Sequence, residues 1–235
     1  MVRLAKFNDD TFVQAAIEVA ATCGVAAVSM AAIASKAGAP MGSVYHRFGS
    51  RSEVLARAWL RAKSGLRQAV EPHWQAGRTW PAVQSLLGWC REHPLHARFL
   101  LQCEDHPPID EALAEPWRQC LDDEQLALEQ AFEQIVRHCA RHGGGDAAQV
   151  QALNTLLRFA LLDSPLALAR PYLLQGREIP SGAEALLRTS HAALCPWAMT
   201  PAQDNEPDAR LSTSLPSMAP TLAHAELAPA RSATH

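Results

Sequence analysis

The stretch Ala32-Ile33-Ala34-Ser35-Lys36-Ala37-Gly38-Ala39-Pro40-Met41-Gly42-Ser43-Val44-Tyr45-His46-Arg47-Phe48-Gly49-Ser50-Arg51-Ser52-Glu53-Val54-Leu55 decides how the chain reads. Just ahead of it Ser29 is a good N-cap. Met30, Ile33, Ala34 and Ala37 then recur on one helical face. Gly38 ends that helix, because glycine accepts left-handed backbone at no steric cost. Only Ala39 separates the stop from Pro40, which suits the first turn of a new helix. This second helix is expected from Pro40 to about Arg47, closed by Phe48 and Gly49. Ser50-Arg51-Ser52-Glu53 reads as a capping box that opens a longer helix, with Leu55, Ala58, Trp59, Ala62 and Leu66 inward.

Two short helices joined by so tight a turn have the geometry of a helix-turn-helix. The second must offer small or polar residues to a major groove, and Pro40, Met41, Gly42 and Ser43 are compact there. A glycine inside a helix costs about 1 kcal/mol relative to alanine. Close approach of the Gly42 backbone to DNA would account for its presence. Tyr45, His46, Arg47 and Arg51 are phosphate ligands in this reading, joined by backbone amides at the start of the longer helix. Ser29 and Lys36 complete the candidate DNA-binding set. Arg57, Arg61, Lys63 and Arg67 are expected on the exposed face of the longer helix.

Working upstream, a helix is expected over Asp9–Cys23. Asn8 caps it, Asp9 and Asp10 suit the positive end of its dipole, and Gly24 stops it. Phe12, Ala16, Val19, Ala20 and Cys23 form its apolar face. Charge sets this region apart. Residues 1–70 hold nine Lys and Arg against four Asp and Glu, a balance of +5, whereas 71–235 hold twelve against twenty, −8, which sums to the net −3. A basic head on an acidic body suits a chain whose head alone meets a polyanion.

The quoted stretch resembles the DNA-binding signature of the TetR family of repressors. The shared pattern is the Ile33-Ala34 pair, the Ala37-Gly38 turn, Gly42-Ser43, Tyr45 to Phe48, and Ser50-Arg51 opening the next helix. Ala15-Ala16 and Gly24 match the family's first helix, so the match covers roughly residues 12–55. It departs at Met41, often basic in the family, at Pro40 in place of a small polar cap, and in the few basic residues before the first helix. The resemblance implies an all-α chain with a three-helix head and a larger helical body for ligand binding and dimerisation. It further implies a double-stranded, palindromic DNA operator, a homodimer, and a small-molecule ligand held among the middle helices.

Domain limits follow as 6–66 for the head, 67–195 for the body and 196–235 for a disordered tail, where Pro, Ser, Thr and Ala dominate and no helical period persists. In the body, helices are expected from Thr79 to before Pro94, from Pro94 to about Glu104, and from about Pro116 to His142. Pro107-Pro108 and Gly143-Gly144-Gly145 act as breaks. Asp146 and Gln149 open a further helix to about Leu162. Ser164-Pro165 restarts a short one, and Ser181 with Glu184 caps a last helix ending near Cys195. Trp89, Phe99, Cys103, Trp117 and Phe132 are the candidate ligand-pocket residues. Val150, Leu153, Leu157 and Leu161 form one apolar stripe, and Ala183, Leu186, Leu187 and Leu194 another. Paired with their symmetry mates, these stripes would make a four-helix dimer interface.

Other chemistry is thinly represented. No uncharged apolar run of about 18 residues appears, so no membrane span is expected; the reading is a cytoplasmic protein. Six widely spaced cysteines read as reduced, mostly buried thiols. Cys90, His93 and His96, Cys103 and His106, and His138, Cys139 and His142 are the loose His/Cys groupings. His138 and His142 are an i, i+4 pair that could hold zinc, but no Glu follows His138 as in a catalytic zinc helix. The reading is a surface histidine pair with buried cysteines, so neither metal nor cofactor is expected. There is no serine elbow and no glycine-rich phosphate loop. The expectation is a regulator, not an enzyme. The rival is a helical metal- or thiol-dependent enzyme or sensor that uses the helix-turn-helix as scaffold.

Overall fold

Alanine- and leucine-rich segments punctuated by capping residues fold as helices throughout the residues described by the computed structural model, 7–103, 113–141 and 147–196. The order is α1 (Asp9–Cys23), α2 (Met30–Ala37), α3 (Met41–Tyr45), α4 (Arg51–Gln75), α5 (Thr79–Glu92), α6 (Pro94–Cys103), α7 (Glu115–Arg141), α8 (Ala147–Arg158), α9 (Ser164–Leu174) and α10 (Ser181–Leu194). No strand occurs among the described residues, so the expected all-α class holds. Glu104, His106, Pro107-Pro108, His142 to Asp146, and the tail from Trp197 onward lie outside the described residues.

Local chemistry sets the ends of the head helices. The Asn8 side chain accepts from the Thr11 N–H, and Gly24 at φ 90° turns the chain out of α1. Ser29 accepts from the Ala32 N–H to start α2, and Gly38 ends it in the left-handed region at φ 63°, ψ 31°. Ser50 accepts from the Glu53 N–H at 3.1 Å. The return half of the expected capping box is shifted, since the Glu53 carboxylate accepts from the Gly49 N–H at 2.9 Å.

The body corrects two expectations. Ser164-Pro165 does not restart the chain: helix continues from α8 through a π-helical turn, Phe159–Asp163, into α9. The Ser164 N–H reaches back to the Phe159 carbonyl, and this wider turn accommodates Pro165, which has no N–H to give. The joined helix, Ala147–Leu174, is by length and composition long and apolar enough to cross a membrane. Arg158, Asp163 and Arg170 interrupt its sequence, which is why a search for an uncharged run passes over it. Lastly, Ser181 and Glu184 form no capping box. Pro180 occupies the cap of α10 without a side-chain bond, and Glu184 instead accepts from Gln84 and pairs with Arg91 on α5.

Two apolar clusters organise the packing. One joins α1–α3 to the first half of α4 through Phe12, Ile17, Ile33, Val44, Phe48, Leu55 and Trp59. The other joins the second half of α4 to α5 and α7–α10 through Trp74, Leu86, Phe132, Ile135, Leu157 and Leu187. Each fully buried large side chain contributes roughly 1.5–3 kcal/mol. Helix α4 runs through both clusters, past the expected boundary at residue 66 and through Pro72, with Val70 and Trp74 buried on either side of that proline. Helix α6 also serves both: Phe99 and Cys103 enter the head cluster, and Ala97 enters the body cluster.

Candidate nucleic-acid interface and body cavity

The head holds α3 by its inner side and leaves its outer side open. Val44 and Phe48 are buried in the head cluster, and the Phe48 N–H bonds the Val44 carbonyl at 3.0 Å. Helix α2 supports them through buried Met30, Ile33 and Ala34. The turn between the helices closes when the Ala39 N–H reaches the Ala34 carbonyl at 3.0 Å. On the open side, Met41 is 52% and Tyr45 57% exposed. Pro40, Gly42 and His46 are also exposed, and Ser43 is half-buried. A Cβ added at Gly42 would meet nothing within 4 Å, so no contact inside the chain calls for glycine there.

The cations have destinations that periodicity could not supply. Arg47 donates to the Asp9 carboxylate and to the Phe7 carbonyl, both at 2.8 Å. Arg51 donates to the carbonyls of Val28 and Val25. Both guanidiniums therefore fasten the head's own segments together. Arg51 is the head arginine with no carboxylate partner among the described residues. Arg57 bridges Asp9 and Glu53 at 2.8 and 2.7 Å and lies over the rings of Phe48 and Trp117. The Arg47 guanidinium, with Arg57 behind it, holds the Asp9 carboxyl below its ordinary range. Arg61 pairs with Asp10, and Arg67 with Glu124 and Glu71. Lys63 is buried, its ammonium 5.4 Å from the centre of the Trp59 ring. The open cationic face expected for α4 is thus a set of paired arginines and one buried lysine. Lys36 is exposed but 3.0 Å from Glu18, and its hydrogen bond, with help from Gln14, lowers the Glu18 pKa.

The candidate pocket residues separate into two groups. Trp89 and Phe132 line a cavity of about 450 Å³. Phe99, Cys103 and Trp117 pack in or against the head cluster instead. An aromatic count cannot tell these groups apart, because α6 and the start of α7 turn toward the head. The cavity wall that the sequence reading missed includes Lys63, Leu66, Val70 and Trp74, all on α4. Their spacing of three to four residues along the inward side of α4 was the available signal. Trp74 meets Phe132 edge-on with ring centres 5.3 Å apart.

The two apolar stripes also divide. Leu157, Leu161, Ala183 and Leu187 are buried in the chain's own body cluster. Val150, Leu153 and Leu194 are half-buried against it. Leu186 is 59% exposed, and Phe159, outside the expected stripe, is 51% exposed. Among the described residues, no three His, Cys, Asp or Glu side chains are placed to share a metal ion. None of the six cysteines forms a disulfide, and burial pushes the thiols of Cys90, Cys103 and Cys195 up to about 12.

A short helix locked by its inner side on a glycine-jointed partner, with its outer side open, defines the helix-turn-helix class of DNA-binding regulators. Residues 12–58 match the family model of the bacterial regulatory proteins of the tetR family. Similar solved structures include the TetR-family transcriptional regulator PfmR from Thermus thermophilus, at 20% identity and TM-score 0.54, covering 81% of this chain and 96% of that one. A TetR-family regulator from Shewanella sp. PV-4 has 16% identity and TM-score 0.59, with coverage of 80% and 96%. Another from Mesorhizobium loti MAFF303099 has 20% identity and TM-score 0.51, with coverage of 81% and 94%. No curated protein sequence matches the chain. Residues 12–58 thus match the DNA-binding head of the tetR family, and the described chain shares the fold of these TetR-family regulators.

Proposed function

We propose that the chain is a repressor that binds a two-fold operator as a homodimer and leaves it when a small molecule enters the body cavity. The observation that carries this reading is the open side of α3, where Met41, Gly42 and Tyr45 stand out from a helix pair otherwise locked into the core. Met41 and Ser43 reach base edges. Tyr45, His46, Lys36, Ser29 and the first amides of α4 contact phosphates, while Pro40 and Gly42 let the backbone come close. Arg47 and Arg51 hold the surface in shape, and neither takes a phosphate as its main partner. Residues up to about 66 form the head and residues up to about 195 the body, with α4 common to both.

The cavity is lined by Trp74, Trp89, Phe132 and aliphatic side chains, with Lys63, Glu129, Arg158, Asp163 and Arg170 also in its wall, which suits a ligand with an apolar or aromatic body and a polar group. Helix α4 starts at the DNA-facing end with Ser50 and passes the cavity wall at Lys63, Leu66, Val70 and Trp74. A ligand that favours a shifted α4 would favour misplaced heads, a population shift between two conformers. For the dimer, exposed Phe159 and Leu186 replace buried Leu157 and Leu187 as the contact residues. Gel-shift titration tests the DNA face. Tyr45→Phe and His46→Ala are expected to weaken binding to every duplex by similar factors, and changes at Met41 or Ser43 to alter which sequence is preferred. Wild-type binding by Tyr45 and His46 variants at moderate salt would contradict it.

A further inference from the structure

A second cleft, about 420 Å³ and separate from the α4 cavity, lies where the end of α5 and the start of α6 face the α9–α10 connection. The larger cavity sets three cations, Lys63, Arg158 and Arg170, against two acids, Glu129 and Asp163; this cleft has one acid fewer. Arg91, Arg98 and Arg177 face it together with a single acid, Glu178, while Leu95, Leu173 and Ile179 supply an apolar wall. Three guanidiniums against one lining carboxylate make the cleft electropositive.

The arginines are not equally occupied. Arg91 is 3.4 Å from the Glu184 carboxylate, a loose pair. Arg98 and Arg177 make no ion pair among the described residues. The Arg98 Nε is buried with no hydrogen-bond acceptor. Arg177 is placed by its backbone, whose N–H bonds the Tyr172 carbonyl at 2.8 Å, and its guanidinium lies over the Tyr172 ring. Gly176, at φ 65°, leaves the connection close to Arg98: an added Cβ would sit 3.6 Å from its guanidinium.

We infer that this cleft binds a small organic acid, with its carboxylate held by Arg98 and Arg177 and its apolar body against Leu95, Leu173 and Ile179. A planar guanidinium fork matches a carboxylate in geometry and charge. The apolar wall selects an acid with a hydrocarbon body over a bare inorganic anion. Helix α6 carries this site on one side and Phe99 and Cys103 of the head cluster on another, so an occupant lies one helix from the DNA-binding domain. The inference stands apart from the repressor reading and is read out without DNA.

The test is calorimetric titration of the full chain with octanoate and with octan-1-ol. Octanoate is expected to bind, the neutral alcohol to bind at least about tenfold more weakly, and Arg98→Met or Arg177→Gln to weaken octanoate by a similar factor. Arg98→Lys should recover part of the affinity, because the charge remains. Arg158→Gln, at the larger cavity, should leave octanoate binding unchanged. The inference is overturned if octanoate does not bind at millimolar concentration, or if the alcohol binds equally well and competes with octanoate. It is equally overturned if Arg158→Gln weakens octanoate while Arg98→Met, shown to be folded by its thermal melt, does not.

Discussion

Arg47→Ala separates two roles for one side chain. The sequence points to a phosphate ligand; the structure has its guanidinium tied to Asp9 and to the Phe7 carbonyl. The Asp9 pair is partly exposed on both sides, so its loss costs up to about 1 kcal/mol, and the carbonyl bond adds about 1 more, for a total of about 1–2 kcal/mol. Asp9 keeps Arg57 as partner, which rules out the larger penalty of an abandoned charge. Urea unfolding of the variant should show a lower midpoint with an unchanged slope. Its affinity for duplex DNA of mixed sequence should retain the wild-type salt dependence, because each phosphate contact removed would reduce the log–log slope by about 0.9. Unchanged stability together with a slope reduced by about one contact would refute the reasoning and return Arg47 to the phosphates.

Leu186→Glu should dissociate a dimer, read as the mass at sedimentation equilibrium, without lowering the melting temperature, whereas Leu157→Glu should unfold the body because Leu157 is fully buried. Gly42→Ala should stabilise the head slightly, by up to about 1 kcal/mol, yet weaken DNA binding, since its Cβ is free of the chain and points to an outside reason for glycine. Gly38→Ala should instead destabilise by about 1 kcal/mol, as its φ of 63° is left-handed. His191 is buried with neither ring nitrogen hydrogen-bonded, and desolvation lowers its pKa below the ordinary 6.5. The unfolded chain therefore takes up this proton first, and stability should fall as pH drops below about 6.5. His191→Leu should shrink the difference between urea midpoints measured near pH 7.5 and near pH 5.5, both about one unit from that value.

The head was legible because its signals are local. Asn8, Ser29 and Ser50 cap within three residues of themselves, and Gly38 announces its own backbone. Partners far along the chain were not legible. Arg47 finds Asp9 thirty-eight residues away, and periodicity gives the face of a helix without naming what meets it. The same limit explains the divided pocket set: Phe99 and Trp89 look alike in sequence, but one turns to the head and the other to the cavity. Ser164-Pro165 looked like a break because proline lacks a donor, and a π-helical turn removes that objection without leaving a mark in the sequence. Leu157 and Leu186 both sit in apolar stripes, and only the packing tells which one the chain covers by itself.

The central claim is that the open side of α3 reads duplex DNA in the major groove, and selection from a random duplex pool by the full chain measures it most directly. The account predicts enrichment of one two-fold-symmetric sequence with half-sites about one helical turn, or a multiple of it, apart. Met41→Ala or Ser43→Ala should shift the preferred bases at matching positions in both half-sites, because a side chain at a base edge is replaced twice in a symmetric complex. Failure of the wild-type chain to enrich any sequence over the input pool, under conditions where it is folded, would contradict the claim.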